Sequence, residues 1–313
     1  MTRDASLAVL MPVYDDWDSA RQVLGRLRAA LRDASPFTIV LVDDASSQPA
    51  PADFAASDVR VIRLRRNLGH QRAICVGLCW IREHLRAGTI VVMDADGEDA
   101  PEDIPRLLER YDMHQALRVT FASRARRSES LLFRVMYNLY RWVHLALTGI
   151  SVRVGNFSVI GAVHLERLTV SSELWSHYAA AVFKSRLPMD AVPIDRSRRI
   201  SGASRMNFTD LVLHGLAAIS VFAETVVVRL FVGLGVFALA LLVLLPGVVI
   251  VRLFTPLAIP GWATVAFGLL SVLLFQAIGI SLMLVMGLLA ARQGTSFIPM
   301  RDYHVFINHV TGA

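Results

Sequence analysis

Two aspartates one residue apart, Asp94 and Asp96, follow the apolar run Val91-Val92-Met93 and open the acidic stretch Asp94-Ala95-Asp96-Gly97-Glu98-Asp99. Carboxylates delivered at the end of a buried strand can grip one hard cation through oxygen ligands. A cation held there bridges a diphosphate and neutralises the charge that develops as it leaves. An EF-hand loop is excluded, because it needs glycine at its sixth position and an acid at its twelfth. Those positions hold Asp99 and Pro105. The plainer alternative is a solvated acidic turn in which Glu98 or Asp99 caps the helix that starts at Pro101.

Two more clusters sit where strands should end. Asp43-Asp44 follows Phe37–Val42 and precedes Ala45-Ser46-Ser47. A carboxylate there can accept hydrogen bonds from a base or from ribose hydroxyls; an Asx-type turn explains it equally well. Arg66-Asn67-Leu68-Gly69-His70 stands ahead of a helical pattern. Glycine permits a tight turn there, and the helix N-terminus that follows can face phosphate. Cys75 and Cys79 share a face of that helix and have no partners for a metal site, so they are expected to be buried, reduced thiols.

The elements that must position these groups alternate. Strands are expected at Leu7–Met11, Phe37–Val42, Val59–Leu64, Thr89–Met93 and Val119–Ser123. Helices are expected at Ser19–Leu31, Gln71–Leu85, after Pro101, and at Leu131–Leu147. This order predicts an α/β fold with a mostly parallel sheet and helices on both faces. The acidic clusters at 15–18, 43–44 and 94–99 then share the carboxyl-end rim, where such sheets bind ligands. Farther on, Phe157–Ile160 and Met189–Ile194 read as strands, Glu173–Lys184 as a helix and Asp195–Arg205 as an arginine-rich loop.

The mean hydropathy of +0.49 is high for a soluble enzyme, and the excess lies near the end of the chain. Leu230–Val251 carries no charge and has about the ~20 residues a bilayer needs. Leu253–Ala291 is also uncharged, with Pro256 and Pro260 marking a turn before a second span. The predicted organisation is a catalytic domain over 1–207, an interfacial or juxtamembrane helix over 208–229, transmembrane helices over 230–251 and 262–290, and a cytoplasmic tail over 291–313. A buried hairpin in a soluble protein is the alternative. Arginines flank the hairpin on both outer sides while its turn holds only Arg252. The positive-inside rule therefore places the catalytic domain on the cytoplasmic side of the plasma (bacterial inner) membrane, as part of a multi-pass protein. The short apolar start, Leu7–Val13, has no basic flank of length and reads as a strand rather than a signal peptide.

Net charge is +6, carried almost wholly by arginine, since Lys184 is the only lysine. The arginines cluster at 63–66, 124–127 and 196–205. Arginine suits bidentate phosphate binding. Neither zinc-finger spacing nor an aromatic-rich RNA signature occurs, so nucleic acid is not expected as a partner.

Taken in order, Pro12-Val13-Tyr14, Val42-Asp43-Asp44, Arg66-Asn67-x-Gly69 and Asp94-x-Asp96 resemble the family-2 glycosyltransferases with a GT-A fold. Met93-Asp94-Ala95-Asp96-Gly97-Glu98-Asp99-Ala100-Pro101-Glu102 is similar to the "MDADLQDPPE" run of their polyprenyl-phosphate branch, which includes dolichyl-phosphate mannose synthase. Arg198-Arg199-Ile200-Ser201-Gly202-Ala203-Ser204-Arg205 is similar to that branch's "R-x-x-G-x-S-K" segment. The resemblance implies that Pro12, Tyr14, Asp16, Asp43, Asp44, Gly69 and Asp94 line a nucleotide pocket. Asp94, Asp96 and Glu98 would hold Mg²⁺ or Mn²⁺. Arg124, Arg134, Arg199 and Arg205 would contact phosphate, and Asp96 and Asp99 would stand at the reaction, Asp99 in a position sometimes assigned to a base. There are departures: Asp16 replaces a usual glutamate, Glu98 a usual glutamine, Asn156 a frequent aspartate, and the glycine of "R-x-x-G" is shifted to Gly202.

The implied reaction is metal-dependent, inverting transfer of a sugar from a UDP- or GDP-linked donor to a polyprenyl phosphate of undecaprenyl type at the membrane surface. Membrane lipid is then a partner, and a homo-oligomer stays open. The competing readings are a transferase acting on a lipid or glycan hydroxyl, and a non-catalytic, membrane-tethered subunit that binds nucleotide sugars. Asn138-Leu139-Tyr140-Arg141-Trp142 also resembles the Q-x-x-R-W motif of processive polysaccharide synthases. It has asparagine for glutamine and lies too soon after Asp96, so Arg141 and Trp142 read as packing or interface residues.

Overall fold

The computed structural model describes residues 6–32, 36–54, 56–124, 141–150, 154–195, 197, 199–200, 208–255, 259–293 and 297–312. An eight-stranded sheet comprises β1 (Leu7–Val13), β2 (Phe37–Asp43), β3 (Val59–Leu64), β4 (Thr89–Val92), β5 (Val119–Arg124), β6 (Val154–Gly161), β7 (Met189–Ile194) and β8 (Ile307–Thr311). Their order is β7-β5-β6-β4-β1-β2-β3-β8. β1 pairs in parallel with β2 and β4, as do β2 with β3 and β5 with β7, while β6 is antiparallel to β4 and β5, and β8 to β3. Every residue of β1 is buried, as expected of a central strand covered on both faces. Ala8 and Leu10 join a core with Ile74, Leu78 and Ile81 of helix α2 (His70–His84). Val9 and Met11 join a core on the other face with Val23, Leu24 and Leu27 of α1 (Trp17–Ala30) and Leu107 of α3 (Ile104–Met113). Cys75 and Cys79 are free thiols buried in α2, and burial pushes the Cys75 thiol well up.

Strand direction places the site. β1, β2, β4 and β5 all end at one rim. β6 runs the other way, so its first residues, including Asn156, reach the same rim. Met93 N donates to the Leu10 carbonyl (3.1 Å), and Pro12 has no N–H with which to continue that ladder. β1 and β4 part there, and the Asp94 loop opens between them.

The chain divides into two compact units, one of residues 1–136, 151–221 and 296–313 and the other of residues 137–150 and 222–295. This differs from the expected organisation. Residues 291–313 were expected as a tail, yet after residue 296 the chain rejoins the sheet unit. Tyr303 is fully buried, its hydroxyl donating to Glu83 Oε2 (2.7 Å), and β8 pairs along β3. The expected helix over 208–229 is two helices, Phe208–Ser220 and the start of Ala223–Phe254. The second unit holds Ala223–Phe254 and Trp262–Gln293. Ala223–Phe254 and Trp262–Ala291 are long and apolar enough to cross a membrane, with mean hydropathy 2.9 and 2.4. In their most apolar windows only 11% and 6% of residues are buried, which separates them from the core helices of a soluble protein.

Candidate active site

The loops after β1, β2 and β3 are tied to one another by acidic residues of the first two. Asp15, held at φ 49, accepts from Ser47 N (2.6 Å) and Ser47 Oγ (3.2 Å), and its own N–H donates to Ser46 Oγ (2.9 Å). Asp43 is fully buried; its Oδ1 accepts from Ser46 N (2.8 Å) and its Oδ2 lies 3.5 Å from Arg63 Nη1. This is the Asx-type turn that the sequence left as an equal reading. Asp44 is 3% exposed and accepts from Leu68 N (2.7 Å) and Gly69 N (2.9 Å). It holds the Arg66–Gly69 turn against β2. Burial raises its pKa to about 6, against the lowering effect of those two N–H groups. Of the residues expected around a nucleotide, Pro12 is buried and Tyr14 is exposed at the rim.

The acidic loop is braced from within. Asp99 Oδ2 accepts from Asp94 N (2.9 Å), and Asp96 Oδ1 from Glu98 N (3.0 Å). The segment after β7 lies along this loop: Ser197 N donates to the Glu98 carbonyl (3.1 Å) and Ile200 N to the Asp96 carbonyl (3.0 Å). Gly97, at φ 82, lies under Ile200, whose side chain a Cβ would meet at 2.5 Å. This seats Arg199 between two carboxylates, Nη2 3.4 Å from Asp16 Oδ2 and Nη1 3.6 Å from Asp96 Oδ2.

Asp94 meets a different partner. Its Oδ1 lies 3.1 Å from His70 Nε2, at the first residue of α2. The Asn156 amide nitrogen lies 2.8 Å from the same ring nitrogen. Gln71 Nε2 donates to Asn156 Oδ1 (3.1 Å), and Gln71 Oε1 accepts from Tyr178 N (2.8 Å). Burial disfavours a charged His70, but the carboxylates of Asp94, Asp99 and Asp96 outweigh it and hold its pKa above the ordinary value.

The structure thus brings Asp16, Asp96 and Arg199 together and sets Asp94 and Asp99 beside them. Asp94, Asp96 and Glu98 do not converge as a three-carboxylate cage; among the described residues no three acidic, histidine or cysteine side chains do. Asp94 turns to His70 and Asp96 to Arg199. The donors are of the kind a hard cation takes, since Asp94 and Asp96 offer carboxylate oxygens, and each presents an oxygen to a basic side chain. Mg²⁺-type sites take few protein ligands and complete their shell with water and substrate phosphate. Arg124 closes β5 at the same rim, and Arg134 and Arg205 lie outside the described residues. Sequence reasoning did not name Asp15, His70, Gln71 or Asn156 as site residues. Asp15 stood inside the acidic cluster 15–18 that it placed at the rim, and His70 and Asn156 stood inside motifs that it singled out.

The order of strands, the acidic rim and the loop bracing define an α/β fold whose loops gather at the carboxyl ends of its strands, and comparison with known proteins places that fold. The model of Glycosyl transferase family 2 matches residues 8–161, from β1 to the end of β6. Residues 8–161 carry a family 2 glycosyltransferase domain. The Undecaprenyl-phosphate 4-deoxy-4-formamido-L-arabinose transferase of Edwardsiella ictaluri is 30% identical over 222 residues, covering 66% of this chain and 64% of that protein. Its namesake from Pseudomonas aeruginosa is 37% identical over 123 residues, 36% of this chain and 35% of the relative. The chain therefore spans less than two thirds of the length of either relative. Among solved structures, mannosyl-3-phosphoglycerate synthase from Rubrobacter xylanophilus superposes with TM-score 0.51 at 16% identity, covering 70% of this chain and 73% of that one. Glucosyl-3-phosphoglycerate synthase from Mycobacterium tuberculosis, in complex with Mn²⁺ and uridine-diphosphate-glucose, gives 0.51 at 16% identity, covering 72% and 79%. Both share the fold, a GT-A, Rossmann-like sheet.

Proposed function

We propose that this protein transfers a sugar, with inversion, from a nucleotide-sugar to a polyprenyl phosphate of undecaprenyl type at the cytoplasmic face of a membrane. The observation that carries the reading is Arg199 seated between Asp16 and Asp96 at the carboxyl rim of a family 2 domain. A diphosphate entering there meets a cationic side chain and carboxylates suited to a divalent ion. The relatives' names supply the acceptor class. A neighbour of the same fold is known with Mn²⁺ and a UDP-sugar.

In this reading a phosphate oxygen of the lipid attacks the anomeric carbon and the nucleoside diphosphate leaves. Asp94 and Asp96, with Glu98 nearby, would hold Mg²⁺ or Mn²⁺, which supplies charge neutralisation for the leaving diphosphate when bound. Arg199 contributes to the same stabilisation, and the braced loops hold these groups in place. A phosphate acceptor is already anionic near neutral pH, so no strong base is required. This agrees with Asp99 spending an oxygen on the Asp94 N–H, and it weighs against the hydroxyl-acceptor reading.

The membrane placement is supported by chain topology as well as by the arginine distribution. Residues 151–221, ahead of the apolar hairpin, and 296–313, after it, belong to one folded unit, which supports the two ends of the hairpin lying on one side of a bilayer. Incubating membranes that contain the protein with a panel of nucleotide sugars and undecaprenyl phosphate, then weighing the extracted lipids, tests the reading. A lipid one sugar heavier supports it. Donor consumption that yields only free sugar, or transfer to a hydroxyl-bearing lipid alone, refutes the acceptor.

A further inference from the structure

The amides behind His70 fix what its ring can offer, because their hydrogen bonds run in only one sense. Tyr178 N is a backbone donor, so the Gln71 atom it meets at 2.8 Å is the carbonyl oxygen. Gln71 therefore turns its NH₂ to Asn156, whose oxygen accepts (3.1 Å). That leaves the Asn156 NH₂ facing His70 Nε2 at 2.8 Å. Turning either amide over would set two donors or two acceptors against each other, and Gln71 and Tyr178 are buried, where such a mismatch is costly. Two N–H groups cannot share the approach at Nε2 either. Nε2 therefore accepts, and His70 is the neutral tautomer with its proton on Nδ1.

The other neighbour of Nε2 is Asp94 Oδ1 at 3.1 Å, an acceptor when ionised. A ring nitrogen and a carboxylate oxygen thus converge on one spot. Their side chains are 41% and 26% exposed, so the spot is open to the rim. An octahedral ion about 2.1 Å from each of two neighbouring ligands sets those ligands about 3 Å apart, which is the separation found. The guanidinium of Arg199, which faces Asp96 and Asp16, has no lone pair to offer an ion. Among the basic side chains at these carboxylates, His70 is the one that can be a ligand. The negative field of Asp94, Asp99 and Asp96, which draws a proton to this ring, draws a cation as well.

We propose that His70 Nε2 is a ligand of the divalent ion, beside Asp94 Oδ1, and that this nitrogen makes the site favour Mn²⁺ over Mg²⁺. Mg²⁺ takes oxygen ligands, whereas imidazole binds first-row transition ions. The ion takes the Nε2 lone pair from the Asn156 N–H and frees that donor for a phosphate oxygen. Asn156 sets the role of the ring. An aspartate there would accept from Nε2, make it a donor and remove the ligand. The inference deepens the divalent-ion reading given above and rests on it.

Pulsed electron paramagnetic resonance tests it on the full chain in detergent micelles, loaded with Mn²⁺ and inorganic pyrophosphate. The histidines are either unlabelled or isotopically labelled on nitrogen. The parent is expected to show the coupling of a directly bound imidazole nitrogen, which changes with the label. The coupling is expected to vanish in His70→Gln and in Asn156→Asp. The ratio of Mn²⁺ to Mg²⁺ affinity, read by competition for the bound Mn²⁺, is expected to fall about tenfold or more in His70→Gln. The parent spectrum decides the matter whether or not a variant folds. Bound Mn²⁺ without histidine coupling, or coupling that survives in His70→Gln, overturns the ligand and leaves the divalent-ion reading standing. An unchanged affinity ratio overturns the preference for Mn²⁺. A parent that binds no Mn²⁺ overturns both this inference and the divalent-ion reading.

Discussion

Arg199 Nη1 lies 3.6 Å from Asp96 Oδ2, so an arginine from the segment after β7 faces the acidic loop after β4. Both side chains are about one-fifth exposed, and Asp16 completes the arrangement through the other guanidinium nitrogen. A pair this accessible contributes only about 0–1 kcal/mol to folding. Arg199→Gln should therefore melt close to the parent. If the guanidinium stabilises the leaving diphosphate, sugar transfer should fall by about 10²-fold or more. Turnover and melting temperature measured on one preparation check this, and an equal loss in both assigns Arg199 to structure alone.

Asp44 supplies a pH test. Its folded pKa of about 6 lies above the ordinary 3.8, so the folded chain binds this proton more tightly than the unfolded chain does. Its contribution is fully present below about pH 4 and is lost as pH rises through about 6, with a ceiling of about 3 kcal/mol. Relative to Asp44→Asn, the parent should lose stability between pH 4 and 6. Denaturant melts of the two across that window measure the difference in slope, and parallel curves would count against the burial argument.

Gln71 joins β6, α2 and the helix Tyr178–Lys184 through one side chain. Gln71→Leu leaves the buried Tyr178 N–H and the Asn156 oxygen without that partner. A loss of about 1–3 kcal/mol is expected, together with a higher KM for the donor as His70 and Asp94 lose their alignment. Denaturant unfolding and donor titration measure the two effects.

Gly77 packs α2 against the sheet with no room to spare. A Cβ there would collide with Leu10 Cδ1 and Val42 Cγ2. Gly77→Ala should cost about 1–3 kcal/mol through overpacking and, below its melting temperature, retain turnover, since Gly77 touches none of the rim residues. Loss of turnover without loss of stability would contradict this.

Much of the rim was legible because it depends on local pattern. The continuous apolar runs of β1, β2 and β4 mark central strands, and the acids after them had to fall at one edge. What escaped depends on distant pairing. β8 is short, and four of its five residues are exposed; its register is set by β3, far away in the chain. The His70–Asn156–Gln71 contacts likewise join residues more than 80 positions apart. The apolar helices run past the predicted spans because hydropathy marks where charge begins, whereas the helix continues through Arg229 and Arg252. Asp44 stood beside Asp43 as a ligand candidate, and only the structure shows both turned to backbone N–H groups, Asp43 to that of Ser46 and Asp44 to those of Leu68 and Gly69.

The central claim is that carboxylates at this rim, Asp96 above all, make a divalent ion and a diphosphate work together in sugar transfer to a lipid phosphate. The most direct measurement is lipid-linked sugar formed by the purified protein and by Asp96→Ala as Mn²⁺ is titrated from chelator excess to saturation. The account predicts product that rises with Mn²⁺ in the parent and is abolished in Asp96→Ala, which keeps the parent's melting temperature. Product formed equally under chelator, or at parental rates in Asp96→Ala, would contradict it.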